Sequence, residues 1–174
     1  MLWLLAVVVG LVFGLVVGGR VSNLARLRFR WPWVPVVAVL VREAVLLTPL
    51  NRVGGAQYIY LLALAAIVVW TIAHFGRLPG VWLITAGAAL NLLVIAVNAG
   101  RMPVASEFAA GLTRHGGTLG QYTVMNTSTH LNLLADWIYL NPVPEAYSPG
   151  DVFVALGLAI LVFVSTATPA RIVS

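Results

Sequence analysis

The chain has 174 residues, 61% of them hydrophobic and only 9% charged, with a mean hydropathy of +0.99. Soluble domains carry about 25% charged residues, so this composition argues against a water-surrounded globule, and the length leaves room for one bundle and no second domain. The net charge is +5 and there is no cysteine, which excludes a disulfide, a thiolate nucleophile and a thiolate metal site; the basic residues are all arginine and flank apolar segments, so anionic lipid headgroups are the expected partner and nucleic acid is not.

Residues 2–19, LWLLAVVVGLVFGLVVGG, contain no charge. At 1.5 Å per residue such a helix approaches the roughly 30 Å of a hydrocarbon core. A cleaved signal peptide carries positive charge before its apolar region. Here nothing basic precedes Arg20, which is the pattern of an anchor with its N-terminus outside. Gly10, Gly14 and Gly18 repeat at four-residue spacing, a small-residue face suited to close helix packing within the bundle, against a second copy or against a partner subunit. Arg20, Arg26, Arg28 and Arg30 follow, the strongest positive-inside signal in the chain, and place this loop in the cytoplasm.

A second span is expected over residues 33–50, with Pro32 and Pro35 at its start and Pro49 at its end. Arg42 and Glu43 fall near its middle. Charges there are costly and mark a polar pocket or ion path unless the span sits shallow. Neighbouring helical residues point about 100° apart, so each of the two calls for a separate partner. The loop NRVGGAQ leads to a third span, 58–75, and GRLPG to a fourth, 81–98. Asn91 and Asn98 lie seven apart on one face of that fourth span, and Arg101 continues the line a turn later. Interhelical hydrogen bonding and one wall of a polar cavity are both consistent with that stripe. His74 closes the third span; His115 and His130 lie on the opposite side, so no haem or metal site and no cofactor is read.

Residues 99–151 form an outer segment. Residues 103–112 are expected as a short helix, GTLGQYTVMNTST as a polar link, and HLNLLADWIYL as an interfacial or re-entrant helix capped by Ser128 or Thr129. Asp136 sits inside that apolar run and needs a partner or a proton, with Arg101, Arg114 and His130 as candidates. Ser148-Pro149-Gly150-Asp151 reads as a helix start, with serine capping, proline first and an acid three after the cap. A last span, 152–167, precedes a tail bearing Arg171.

The predicted fold is therefore an all-α polytopic membrane bundle of one domain, 1–174, with about five transmembrane helices and one interfacial helix. It is multi-pass in the cell membrane, N-terminus outside and C-terminus cytoplasmic. Arg20, Arg26, Arg28, Arg30, Arg77 and Arg171 lie inside, against Arg52, Arg101 and Arg114 outside. Four spans, with the second stretch re-entrant, satisfy the same charge rule. Trp3, Trp31, Trp33, Tyr58, Tyr60 and Trp82 mark the expected interfaces.

Two resemblances bear on function. Gly19-Arg20 with the arginine-rich turn to Arg30, Asn98-Ala-Gly-Arg-Met-Pro103, Ala135-Asp136 and Ser148-Pro-Gly-Asp151 resemble a family of small bacterial integral membrane proteins known only as a domain of unknown function. That likeness brings no catalytic role. Locally, residues 136–161 are similar to lipoprotein signal peptidases, in which one aspartate in an apolar segment precedes another at the start of the last helix; two such carboxylates can share a proton for general acid–base hydrolysis. The asparagine-containing motif before that family's second aspartate is absent here. The expected function is a non-catalytic, lipid-binding or partner-docking membrane subunit, with Asn98, Arg101, His130, Asp136 and Asp151 as its polar outer set. The alternatives are an aspartyl-type hydrolase using Asp136 and Asp151, and a small transporter using Arg42 and Glu43.

Overall fold

A computed structural model describes residues 1–49, 53–140 and 145–167. The expectations placed on Leu50, Arg52, residues 141–144 and Arg171 lie outside these. Five long helices run in chain order: α1 (Leu2–Val16), α2 (Trp33–Leu47), α3 (Ala56–Ile72), α4 (Val81–Val97) and, after a one-turn α5 (Ala110–Thr113), α6 (Pro149–Ala167). Of these, α6 alone is long and apolar enough to cross a membrane; α1, α3 and α4 are apolar but shorter.

The five-span, all-α bundle is thus corrected on two counts. α1 and α2 stop short of the expected spans because the chain carries breakers inside them. Gly18 adopts φ +87° just past the end of α1. Pro49 holds Thr48 extended, at φ −114° and ψ 166°, and ends α2 at Leu47. Gly55 and Gly80, both with positive φ, precede α3 and α4, which end at Ile72 and Val97, short of the expected 75 and 98. A 15-residue helix reaches only about 22 Å. The second correction is the outer segment, which contains strands.

In that segment β1 (Met102–Val104) pairs in parallel with β3 (Tyr122–Val124), and β2 (Thr118–Leu119) pairs antiparallel with β3 on its other side. Gly120, at φ +55°, makes the tight β2–β3 turn. β4 (Ile138–Tyr139) pairs with β5 (Ala146–Tyr147). The helix expected over 103–112 is instead β1, a 3-10 turn (Ser106–Phe108) and α5. The interfacial or re-entrant helix expected over 130–140 is a single 3-10 turn, Asn132–Leu134, followed by β4, and its N-cap is Leu131 rather than Ser128 or Thr129. The later part of this run satisfies its backbone by pairing with neighbouring strands: Asp136 N–H donates to the Pro103 carbonyl (3.0 Å) and Ala105 N–H to the Asp136 carbonyl (2.9 Å).

The long helices pack in a row, α1 on α6, α6 on α4, α4 on α3 and α3 on α2. α6 is central. Gly10 meets its Ala159 and Gly14 its Thr166, so α1 and α6 run parallel. Gly87 meets Gly150 and Gly80 meets Gly157, so α4 and α6 run antiparallel. A Cβ on Gly10, Gly87 or Gly150 would overlap backbone or side-chain atoms of the facing helix. Buried Val94, Ile95, Met102 and Ala135 join the cap to α4, with Leu61, Leu64 and Tyr122 packed around them. The outward faces are apolar and bare, including Leu4, Val12 and Phe13 on α1, Val36 and Leu40 on α2, and Leu62 and Val69 on α3.

Candidate functional site

The cap closes one end of the helix row, and the expected polar residues fall there in three groups. The first is at the start of α6. Asp151 Oδ2 accepts from Ser148 N–H (3.1 Å), and Ser148 Oγ accepts from Asp151 N–H (2.9 Å). This is the reciprocal cap expected of Ser-Pro-Gly-Asp, in which two orphan helix donors are satisfied at once. Asn91 of α4 completes it: Nδ2 donates to Asp151 Oδ1 (3.0 Å) and Oδ1 accepts from Ser148 Oγ (2.8 Å). Asn91 therefore locks α4 to α6, and both Asp151 oxygens are engaged.

The second group surrounds Arg42. Its Nη1 lies 2.9 Å from Glu43 Oε1, and its Nε donates to Gln121 Oε1 at 3.2 Å. The expectation that each calls for a separate partner is corrected for Glu43, whose carboxylate meets Arg42 itself, since two long side chains curl together where rigid Cβ directions alone diverge. Gln121 sits in the β2–β3 turn, so Arg42 ties the cap to α2. No local pattern in the sequence marks Gln121 for this role.

The third group is Asn98, Arg101 and His130. Asn98 Nδ2 donates to the His130 carbonyl (2.9 Å) and to the Val94 carbonyl (2.8 Å), while its Oδ1 accepts from His130 N–H (2.8 Å). The asparagine side chain thus holds the 130 loop against the end of α4 as a strand would. Beside it opens a cavity of about 240 Å³ lined by Asn98, Arg101, Thr123, Ser128, Thr129 and His130, among others. Asn91 is not part of this group, so the stripe of Asn91, Asn98 and Arg101 divides between two jobs.

Asp136 stands apart from all three candidate partners, Arg101, Arg114 and His130. It is buried, and its Oδ1 has no hydrogen-bond partner. Burial, and secondarily the Asp151 charge, push its pKa up to about 8, so it holds a proton at neutral pH. Tyr122 nearby is pushed up by the same burial. Among the described residues no three of His, Asp and Glu converge as metal ligands.

At the opposite end, the loop after α1 folds onto the helix ends. Arg20 N–H and Asn23 Nδ2 both donate to the Thr166 carbonyl, at 3.1 and 2.8 Å, satisfying an orphan acceptor in the last turn of α6. Trp70 Nε1 donates to the Arg30 carbonyl (2.8 Å), and fully buried His74 accepts from Arg30 N–H through Nε2 (2.9 Å). With Nε2 accepting, His74 Nδ1 donates to the Trp70 carbonyl at 2.7 Å. His74 therefore works as a loop clamp. Arg20, Arg26, Arg28, Arg30 and Arg77 remain exposed, with Phe29, Trp31, Trp33 and Phe75 exposed among them. The Arg30 guanidinium lies 5.0 Å from the Trp31 ring centre.

Gly10 and Gly14 do pack a helix, but that helix is this chain's own α6; Gly18 faces open space and Gly19 makes the close approach to Thr166 instead. The face therefore has an occupant within the chain.

What emerges is a helix row with one helix able to cross a membrane, capped at one end by a small β-containing lid and studded with arginine at the other. Residues 26–163, most of the chain, match the family of unknown function DUF5317, and the chain belongs to that family. No curated protein and no solved structure matches it.

Proposed function

We propose that the protein is a non-catalytic, lipid-embedded protein that holds anionic lipid headgroups at its arginine end. The observation that carries this is the segregation of charge. Five exposed arginines and four exposed aromatic rings occupy one end without an acid among them. The five acids of the chain are Glu43, at the cap end of α2, and Glu107, Asp136, Glu145 and Asp151, in the cap or at the start of α6. Each arginine near an anionic leaflet contributes about 1 kcal/mol, and tryptophan favours the headgroup level. In this reading α6 crosses the bilayer, α1 and α4 share the slab alongside it, their bare apolar faces meet acyl chains, and the arginine end is cytoplasmic.

The engagement of both Asp151 oxygens in a helix cap favours binding over shared-water hydrolysis. The pairing of Arg42 with Glu43 and Gln121 favours a cap latch over a transport path.

The test uses the full chain reconstituted in vesicles of equal phosphatidylglycerol and phosphatidylcholine, then gently extracted and its retained lipid counted by native mass spectrometry. Phosphatidylglycerol should be retained over phosphatidylcholine, and the R26Q/R28Q/R30Q/R77Q variant should lose the preference. Equal retention of the two lipids by the unaltered chain would overturn the reading, as would release of the protein from membranes by alkaline carbonate.

A further inference from the structure

The cavity at the cap end lies far from the arginine loop and is built differently. Arg101 leaves the end of α4 through two residues in the left-handed region, Ala99 (φ +53°) and Gly100 (φ +82°). Its Nε is buried and has no hydrogen-bond partner. A guanidinium nitrogen removed from water without an acceptor is costly. Among the described residues no carboxylate lines the cavity; its other polar lining residues include His130, and Ser128 and Thr129, whose hydroxyls donate to Asn126 and Asn132. The wall is rigid. Asn126 Oδ1 accepts from both Ser128 N–H (2.8 Å) and Ser128 Oγ (2.7 Å), Thr129 Oγ1 accepts from Asn126 N–H (3.1 Å), and Asn98 pins His130. Leu131, another non-glycine residue with positive φ (+57°), holds the loop's far side. Backbone strain of this kind persists where the surroundings over-determine it, and it clusters at binding sites.

We propose that this cavity binds a phosphate-type oxyanion, with Arg101 supplying a forked charge and the His130 ring closing on a remaining oxygen. A guanidinium fork matches a tetrahedral oxyanion with two parallel donors, and a volume of about 240 Å³ admits a phosphate with its substituent. Exposed Val97, Leu133 and Trp137 lie nearby in the chain, so the phosphate of a lipid headgroup and free phosphate share the recognising chemistry. The site does not depend on the arginine-end reading, and R26Q/R28Q/R30Q/R77Q should leave it intact.

The test is titration of the full chain, in a neutral maltoside detergent, with inorganic phosphate in one arm and short-chain phosphatidic acid in the other, at constant ionic strength set by chloride. Thermal stability and the 13C-ε1 histidine NMR signals are read together. At least one probe should raise the melting temperature in a saturable way and move the His130 signal, assigned through H130Q, while those of His74 and His115 stay in place. R101Q should weaken the effect roughly tenfold or more, and R101K, which keeps charge without the fork, should fall between. Saturation by phosphate alone assigns free phosphate; saturation by phosphatidic acid alone assigns the headgroup. The proposal is overturned if neither probe acts on the unaltered protein, or if R101Q responds as the unaltered protein does. Should R101Q fail to fold, the His130 shift on the unaltered chain decides.

Discussion

Asp136 is the residue at which burial, pairing and protonation meet. Its side chain is enclosed by the cap and Oδ1 lacks any hydrogen-bond partner, and its pKa rises from 3.8 to about 8. The folded chain therefore keeps a proton that the unfolded chain releases above pH 4. Stability accordingly falls as pH rises from about 4 to about 8, by up to about 1.4 kcal/mol per unit, and levels off above that. Thermal melts in detergent across this range should show the slope, and D136N should flatten it while leaving the alkaline end more stable. A slope unchanged in D136N would place the proton elsewhere. Asn91 makes the complementary case. N91A strands Asp151 Oδ1 and Ser148 Oγ in a part-buried seam, at a cost of about 1–3 kcal/mol, read as a melting temperature lowered by several degrees. N91D should cost more, because it sets a second carboxylate against Asp151.

At the scale of elements, the α1–α6 and α4–α6 seams are made by absent side chains. G10A places a methyl group on the Ala159 carbonyl and should destabilise by about 1–3 kcal/mol, whereas G18A meets no neighbour and bears only the left-handed backbone penalty of about 1 kcal/mol. If the two variants melt alike, the parallel seam is not where the chain's stability lies. The order of helices and the start of α6 were legible in the sequence because they rest on local rules: apolar runs, proline and glycine breakers, and a Ser-Pro-Gly-Asp cap. The cap's strands were not. β1 and β3 are three residues each, too short to show an alternation, and Asp136 joins them through backbone pairing with residue 104, more than 30 positions away. Asn98 and His130 meet through the Asn98 amide and the His130 backbone, while Gln121 and His74 become informative only when Arg42 and Arg30 are brought to them by the fold.

For the molecule as a whole, charge and surface divide along the helix axis. Five arginines without an acid among them gather at one end, all the carboxyls lie toward the other, and bare aliphatic faces lie between. That arrangement ties the two proposals to opposite ends, so the loss of one leaves the other standing. It also sets a geometric condition: the Met1 amine lies 3.0 Å from Glu145 at the cap end, while Gly19 reaches Thr166 at the other.

Parallel α1 and α6 carry a consequence for biosynthesis. The glycine groove of α1 leaves the ribosome first, yet the helix that fills it is made more than 140 residues later. Until then the nascent chain carries an unfilled, tightly shaped furrow that lipid or a chaperone has to occupy, and translation arrested before Pro149 should yield a fragment that proteases clear faster than the finished product.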